Sequence, residues 1–189
     1  MHDRIRNVSW KLLSDNWYTL KKYTFDYLRR DGKWERQERE AYDRGNGAAI
    51  LLYDPERRTV ILTRQFRLPT FVNGNPDGFV VEACAGILDE LDPETCIRKE
   101  VLEETGYRVG EMEKIYEAYT SPGSVAEVLH FFLARYRPED RVARGGGLAE
   151  EQEEIEVLEV TYDRARNMLE RGEVRDAKTI VLLQQLFLR

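Results

Sequence analysis

The stretch Ala85–Tyr107, AGILDELDPETCIRKEVLEETGY, decides how this chain of 189 residues is read. Asp92-Pro93 offers a helix N-cap followed by proline at the first helical position, and Thr105-Gly106 offers a C-terminal stop, so the spacing predicts a helix between them. Cys96, Ile97, Val101 and Leu102 supply its apolar face. Glu100, Glu103 and Glu104 stand at i, i+3 and i+4, which brings their side chains up together on one side. On a solvated helix such crowding costs only a few tenths of a kcal/mol per pair. An ordinary wet acidic face therefore remains one reading of the trio. The other is a site for a hard divalent cation, because magnesium prefers a few carboxylates completed by water and phosphate oxygens.

On either side of this helix the pattern is mostly strand. Trp17 to Leu28 is rich in aromatic and β-branched residues, Asp31-Gly32 signals a hairpin, and Trp34 to Tyr42 continues beyond it, which predicts a small N-terminal β-ribbon. Gly45-Asn46-Gly47 punctuates the chain before apolar strands at Ala48 to Tyr53 and Thr59 to Arg67. A loop from Pro69 to Gly78 leads into a strand at Phe79 to Cys84. Strands at Lys114 to Tyr119, Val128 to Tyr136 and Ile155 to Val160 follow, with Gly145-Gly146-Gly147 in a loop between the last two. Helices at Tyr162 to Arg171 and Lys178 to Leu188 close the chain. Without regular βαβ alternation, this succession predicts an α+β fold.

Composition narrows the function classes. Apolar residues at 42% and charged residues at 34% describe a globular chain, and no apolar run approaches the roughly 20 residues of a membrane span. Met1 to Trp10 lacks the continuous apolar core of a secretory signal, so the expectation is a cytoplasmic protein with no membrane partner. Cys84 and Cys96 lack the spacing of a zinc site or a disulfide framework. With a net charge of −6 and no dense basic stretch, nucleic acid is not an expected partner. A phosphorylated small molecule is still accessible to an acidic protein when a divalent cation stands between them.

The quoted stretch resembles the Nudix box, GX5EX7REUXEEXGU with U apolar, through Gly86, Glu100, Val101, Glu103, Glu104, Gly106 and Tyr107. Two departures stand out: Asp92 occupies the place of the first glutamate, and Lys99 replaces the arginine one residue early. In the family that acid and arginine brace the loop, whereas an Asp in this place is equally a helix cap. The segments LSDNWYTL, YDRGNGAAILLY, RQFR, SPG, GGG and IEVLE extend the likeness to nearly the whole chain. Together they are similar to the GDP-mannose pyrophosphatase branch of the Nudix superfamily, itself close to the ADP-ribose pyrophosphatases.

The resemblance implies a Nudix-type α/β/α sandwich with a mixed sheet over residues 45–189, preceded by a β-ribbon dimerisation lobe over 1–44 that is exchanged between subunits of a homodimer. It also implies hydrolysis of a nucleotide sugar, GDP-mannose to GMP and mannose 1-phosphate, with ADP-ribose hydrolysis as the alternative and a catalytically inactive nucleotide sensor behind both. The implied cofactor is Mg2+, with Mn2+ as a substitute, held by Glu100, Glu104, Glu153 and the Ala85 carbonyl. Glu103, Glu104 and Glu153 are the implied catalytic acids, and Glu153 is reached by counting back two residues from Ile155. Implied substrate contacts are Trp17, stacking on the base in place of the family's tyrosine, then Glu38, Arg39 and Glu40 at its edge or the ribose. Arg67 is the implied phosphate clamp, Glu127 lines the sugar or phosphate region, and Ala85, Gly86, Ile87, Glu104, Gln152, Glu153 and Lys178 complete the set.

Overall fold

A computed structural model describes residues 4–189; the first three residues of the expected 1–44 lobe lie outside it. The chain forms two compact units. One runs up to Asn46 and takes in Tyr119–Val128, and the other comprises Gly47–Ala118 and Leu129–Arg189.

The first unit is a three-stranded antiparallel sheet in the order β1-β2-β3, with β1 Ile5–Asp15, β2 Thr19–Leu28 and β3 Trp34–Asp43. Strands β2 and β3 make the expected hairpin, where Gly32 takes a φ of +80° and the Asp31 carboxylate accepts from the Lys33 N–H. Strand β1 was not anticipated, although Val8, Trp10 and Leu12 alternate with polar residues as a half-covered strand requires. Those apolar side chains are exposed in the single chain, and the strand carries irregularities between Arg6 and Ser9 and between Leu12 and Ser14.

The second unit is built on a mixed sheet of seven strands. Its centre is β4, Gly47–Asp54, whose continuous apolar run reads as a strand covered on both faces. Strand β5 (Thr59–Phe66) pairs antiparallel with the end of β4 only at Leu52–Asp54, after which the two splay apart. The segment Phe79–Ile87 enters that wedge: β6 (Phe79–Glu82) pairs with β5, and β7 (Cys84–Ile87) pairs with β4. The strand expected at Phe79 to Cys84 is thus divided at Ala83, where it changes partner. Beyond β4 lie β9 (Val128–Arg135), parallel to it, and β8 (Met112–Tyr119); β10 (Glu156–Thr161) borders β5. The loop expected at Pro69 to Gly78 begins with a short helix, α1 (Leu68–Val72), with proline in its first turn as its fixed φ favours.

Period-two alternation sorts the sheet's side chains to two cores. Ala48, Ile50 and Leu52 face a core shared with α2 (Pro93–Glu100), through Cys96 and Ile97, and with Val101 just beyond it. Ala49 and Leu51 face a second core shared with α3 (Tyr162–Glu170) and α4 (Ala177–Phe187), through Ala165, Met168, Leu182 and Leu183. Each fully buried Ile or Leu contributes roughly 1.5–3 kcal/mol, and the sheet lies between the helical layers as an α/β/α sandwich. No helix among the described residues is long and apolar enough to cross a membrane.

Candidate active site

The wedge strand and the acidic helix meet at Gly86. Asp92 caps α2, accepting from the N–H groups of Glu94 and Thr95 at 3.1 Å each. Lys99 pairs not with Asp92 but with Glu103, at 3.3 Å, so the bracing pair of the family pattern is replaced by a cap and an i,i+4 ion pair. Past Glu100 the helix widens into one π-helical turn, Val101–Thr105, a distortion frequent at functional sites. Gly106 then ends it in the left-handed region at φ +77°.

The three helix acids separate by environment. Glu103 is half-buried beside Lys99, whereas Glu104 is only 2% exposed. Burial raises the Glu104 carboxyl to about 8, with the charges of Glu100 and Glu153 adding to the rise while the Cys84 thiol and Arg67 oppose it. Burial likewise raises Glu100 to about 7; Lys99 opposes this, and Glu103, Glu153 and Glu151 reinforce it. Oε2 of Glu104 is buried without a hydrogen-bond partner. An orphaned carboxylate oxygen among repelling acids is the arrangement a cation relieves, so the donor set fits a divalent metal. Among the described residues, no three His, Cys, Asp or Glu side chains are gathered closely enough to hold a metal ion as they stand, so the fit rests on the orphaned Glu104 oxygen and the mutual repulsion of the acids.

Backbone geometry sets these acids. A Cβ on Gly86 would lie 2.3 Å from Cδ of Glu100, so only glycine lets that carboxylate rest against β7 beside Ala85. The triple-glycine loop docks on the π turn, where Gly146 N–H donates to the Glu104 carbonyl (2.8 Å) and Gly147 N–H to that of Glu103 (3.1 Å). The loop thereby carries Glu153 toward the helix acids. Glu153 Oε2 accepts from the Leu148 N–H at 3.0 Å, and Gln152 before it is exposed with a φ of +59°.

Arg67 and Lys178 share one partner that sequence reasoning missed. Glu82, at the end of β6 and 3% exposed, accepts from Arg67 Nε (2.8 Å) and Nη2 (3.0 Å) and from Lys178 Nζ (2.7 Å). Burial alone would raise its carboxyl, but Lys178 and Arg67 bring it below the ordinary carboxylate value. Burial weakens the charge of Lys178, yet Glu82 and Asp176 raise its ammonium above the usual value. A lone acid within the apolar run FVVEAC was the available signal, since a buried carboxylate needs partners.

The remaining expected residues belong to the N-terminal unit. Trp17, in the turn between β1 and β2, is 78% exposed and packs edge-to-face on Tyr18. Glu38 pairs with Lys22 at 2.6 Å. Arg39 and Glu40 line a cavity of about 540 Å³ with Tyr119 and the loop Pro122–Ala126. Glu127 is bound to Arg44 (3.3 Å) and Thr120 (2.9 Å). Ala85, Gly86, Ile87, Glu100, Glu103, Glu104, Gln152 and Glu153, with Arg67 and Lys178, all lie in the second unit.

Comparison with known proteins gives two family matches. Residues 4–42 match the GDP-mannose pyrophosphatase NudK N-terminal domain, and residues 43–183 match the NUDIX domain. The chain is 55% identical to the GDP-mannose pyrophosphatase of Salmonella arizonae, over 98% of this chain and 96% of that one. It is 55% identical to that of Cronobacter sakazakii, over 95% and 93% of the two chains. The corresponding Escherichia coli O1:K1 / APEC enzyme is 53% identical over 98% and 96%.

Proposed function

The chain belongs to the Nudix family, and we propose that it is a pyrophosphohydrolase cleaving the diphosphate bond of a nucleotide sugar, GDP-mannose giving GMP and mannose 1-phosphate. The observation that carries this reading is the orphaned Glu104 oxygen amid Glu100 and Glu153, next to a strand that also delivers Arg67 and Lys178 through Glu82. Glu100, Glu104, Glu153 and the Ala85 carbonyl would hold a divalent cation. Mg2+, with Mn2+ as its substitute, supplies neutralisation of the diphosphate and activation of a water.

The chain's own groups do the rest. Arg67 and Lys178 grip phosphate oxygens, and Glu153, on its loop, takes the proton from the attacking water, with Glu103 as the other candidate. Gly86, Ile87 and Gln152 line the same place. In the N-terminal unit, the open face of Trp17 offers stacking to a base, worth about 1–3 kcal/mol. Glu38 and Glu40 have carboxylates able to accept from a guanine edge, and Arg39 and Glu127 complete that group. We further propose that the protein is a cytoplasmic homodimer assembled through its residue 1–44 lobe: Val8, Trp10 and Leu12 of β1 are exposed in the single chain, and a second copy would cover them.

Nucleotide sugars assayed side by side with Mg2+ test this. GDP-mannose is expected to turn over fastest, and Glu104→Ala to lose turnover by about 100- to 1,000-fold, the range seen when one group stabilising the transition state is removed. Faster turnover of ADP-ribose would reassign the substrate, and a fully active Glu104→Ala enzyme would reject the metal assignment.

A further inference from the structure

Arg67 and Lys178 are long, rotamer-rich side chains, yet in this protein neither is left to find its own place. Glu82 takes the Nε–Nη2 edge of the guanidinium in two parallel hydrogen bonds, which leaves Nη1 without a hydrogen-bond partner among the described residues. Its second oxygen also holds the Lys178 ammonium. Asp176 closes on that ammonium from the other side at 3.0 Å. Asp176 in turn accepts from the Thr179 hydroxyl at 2.5 Å, and that hydroxyl accepts from the N–H of Ala83 at 2.6 Å, the residue after Glu82. The start of α4 is therefore stitched to the junction of β6 and β7, and the two cations are fastened at the seam. Glu82 is buried but the Arg67 side chain is 42% exposed, and an ion cluster placed in this way is a poor source of stability compared with apolar packing of equal volume. Its organisation points to placement instead.

We propose that Glu82 is a positioning residue for the diphosphate. It pre-orders Arg67 and Lys178 so that the free Nη1 edge and the ammonium together meet phosphate oxygens, without Glu82 touching the substrate. This rests on the reading of Arg67 and Lys178 as phosphate-contacting groups. Ordering two flexible cations before the ligand arrives lowers the entropy lost on binding. The partial burial of their charge leaves each needing only an anion on its open side.

Inorganic pyrophosphate is a suitable probe, its affinity for the full chain being measured by calorimetry in Mg2+ while free phosphate is assayed in the same sample to confirm that the probe is not consumed. Glu82→Gln keeps the shape and removes the charge. It is expected to weaken pyrophosphate binding about tenfold while Mg2+ uptake alone stays within about twofold of wild type. In a background already lacking both cations (Arg67→Ala with Lys178→Ala), adding Glu82→Gln should change pyrophosphate affinity by less than about twofold, because residues acting as one unit are not additive. Glu82→Asp, which keeps the charge on a shorter stem, should fall between wild type and Glu82→Gln, and it carries the test if Glu82→Gln does not fold. Wild-type pyrophosphate affinity in a folded Glu82→Gln, or an undiminished effect in the cation-free background, overturns the proposal; so does a wild-type chain that binds no pyrophosphate. Turnover of nucleotide sugars by wild type is read separately: inactivity on all of them overturns the substrate reading while the pyrophosphate series still decides the role of Glu82.

Discussion

A single hydrogen atom on Gly86 is what permits Glu100 to lie against β7. A methyl there would meet Cδ and Oε1 of Glu100 at 2.3 Å each, and the carboxylate, not the paired strand backbone, would give way. Gly86→Ala is thus expected to fold, at a cost of about 1–3 kcal/mol for overpacking, and to lose activity by about 100-fold, because a displacement near 1 Å is enough for that in a catalytic site. Steady-state kinetics with a melting curve on the same sample measures both, and near-normal activity would show that Glu100 need not sit there. Gly86 and the helix acids were readable because their spacing lies within one local motif. Glu82 was not, since its partners are 15 and 96 residues away, and nothing in a linear pattern pairs a lone strand acid with a late lysine. Nor did the i, i+3, i+4 spacing foretell that Glu104 would be buried while Glu103 turned to Lys99; the π turn and the strands beneath it decide that.

The π turn and the triple-glycine loop behave as one element. Gly106, at φ +77°, accepts at its carbonyl from the N–H groups of Val142 (2.9 Å) and Ala143 (3.1 Å), and a Cβ on it would reach within 2.2 Å of the Ala143 carbonyl oxygen. Gly106→Ala therefore combines left-handed strain with a backbone collision, and a loss of about 1–3 kcal/mol is expected in urea unfolding. Hydrogen exchange should locate the damage: amides of Val142, Ala143, Gly146 and Gly147 should lose protection first, while those of β4 stay slow. Uniform loss of protection would mean that the loop and helix do not act as a local unit. Glycine at a helix end was visible in the sequence as a stop, but its second task, receiving a loop from about 40 residues later, depends on tertiary packing. The same distinction separates the strands. Strand β4 announced itself by a continuous apolar run, whereas β1 carries alternating side chains that this single chain leaves uncovered, so its pattern had no core to point to.

Taken as a whole, the second unit stores electrostatic conflict at one end of its sheet and relieves it with charge brought from elsewhere. Glu82 is neutralised internally by Arg67 and Lys178, but Glu100 and Glu104 are not, and without metal their carboxyls titrate at about 7 and about 8. In the unfolded chain both ionise near about 4.3. Between those values the folded protein holds protons that the unfolded chain has released, so the slope of unfolding free energy with pH is negative. The stability these groups permit is fully present below the unfolded value and is lost as pH rises through about 7 and about 8. In chelator, the melting temperature should accordingly fall from pH 5.5 to about 8.5, with Glu104→Gln flattening much of the decline because the amide cannot ionise. A divalent cation competes with those protons, so Mg2+ should raise the melting temperature more at the upper end of the range and release protons on binding where the acids are still protonated. Calorimetry in buffers of different ionisation enthalpy counts those protons directly. A melting temperature that climbed with pH in chelator, or a Mg2+ effect largest at acid pH, would mean that burial of these two acids is not what the fold holds in reserve for metal.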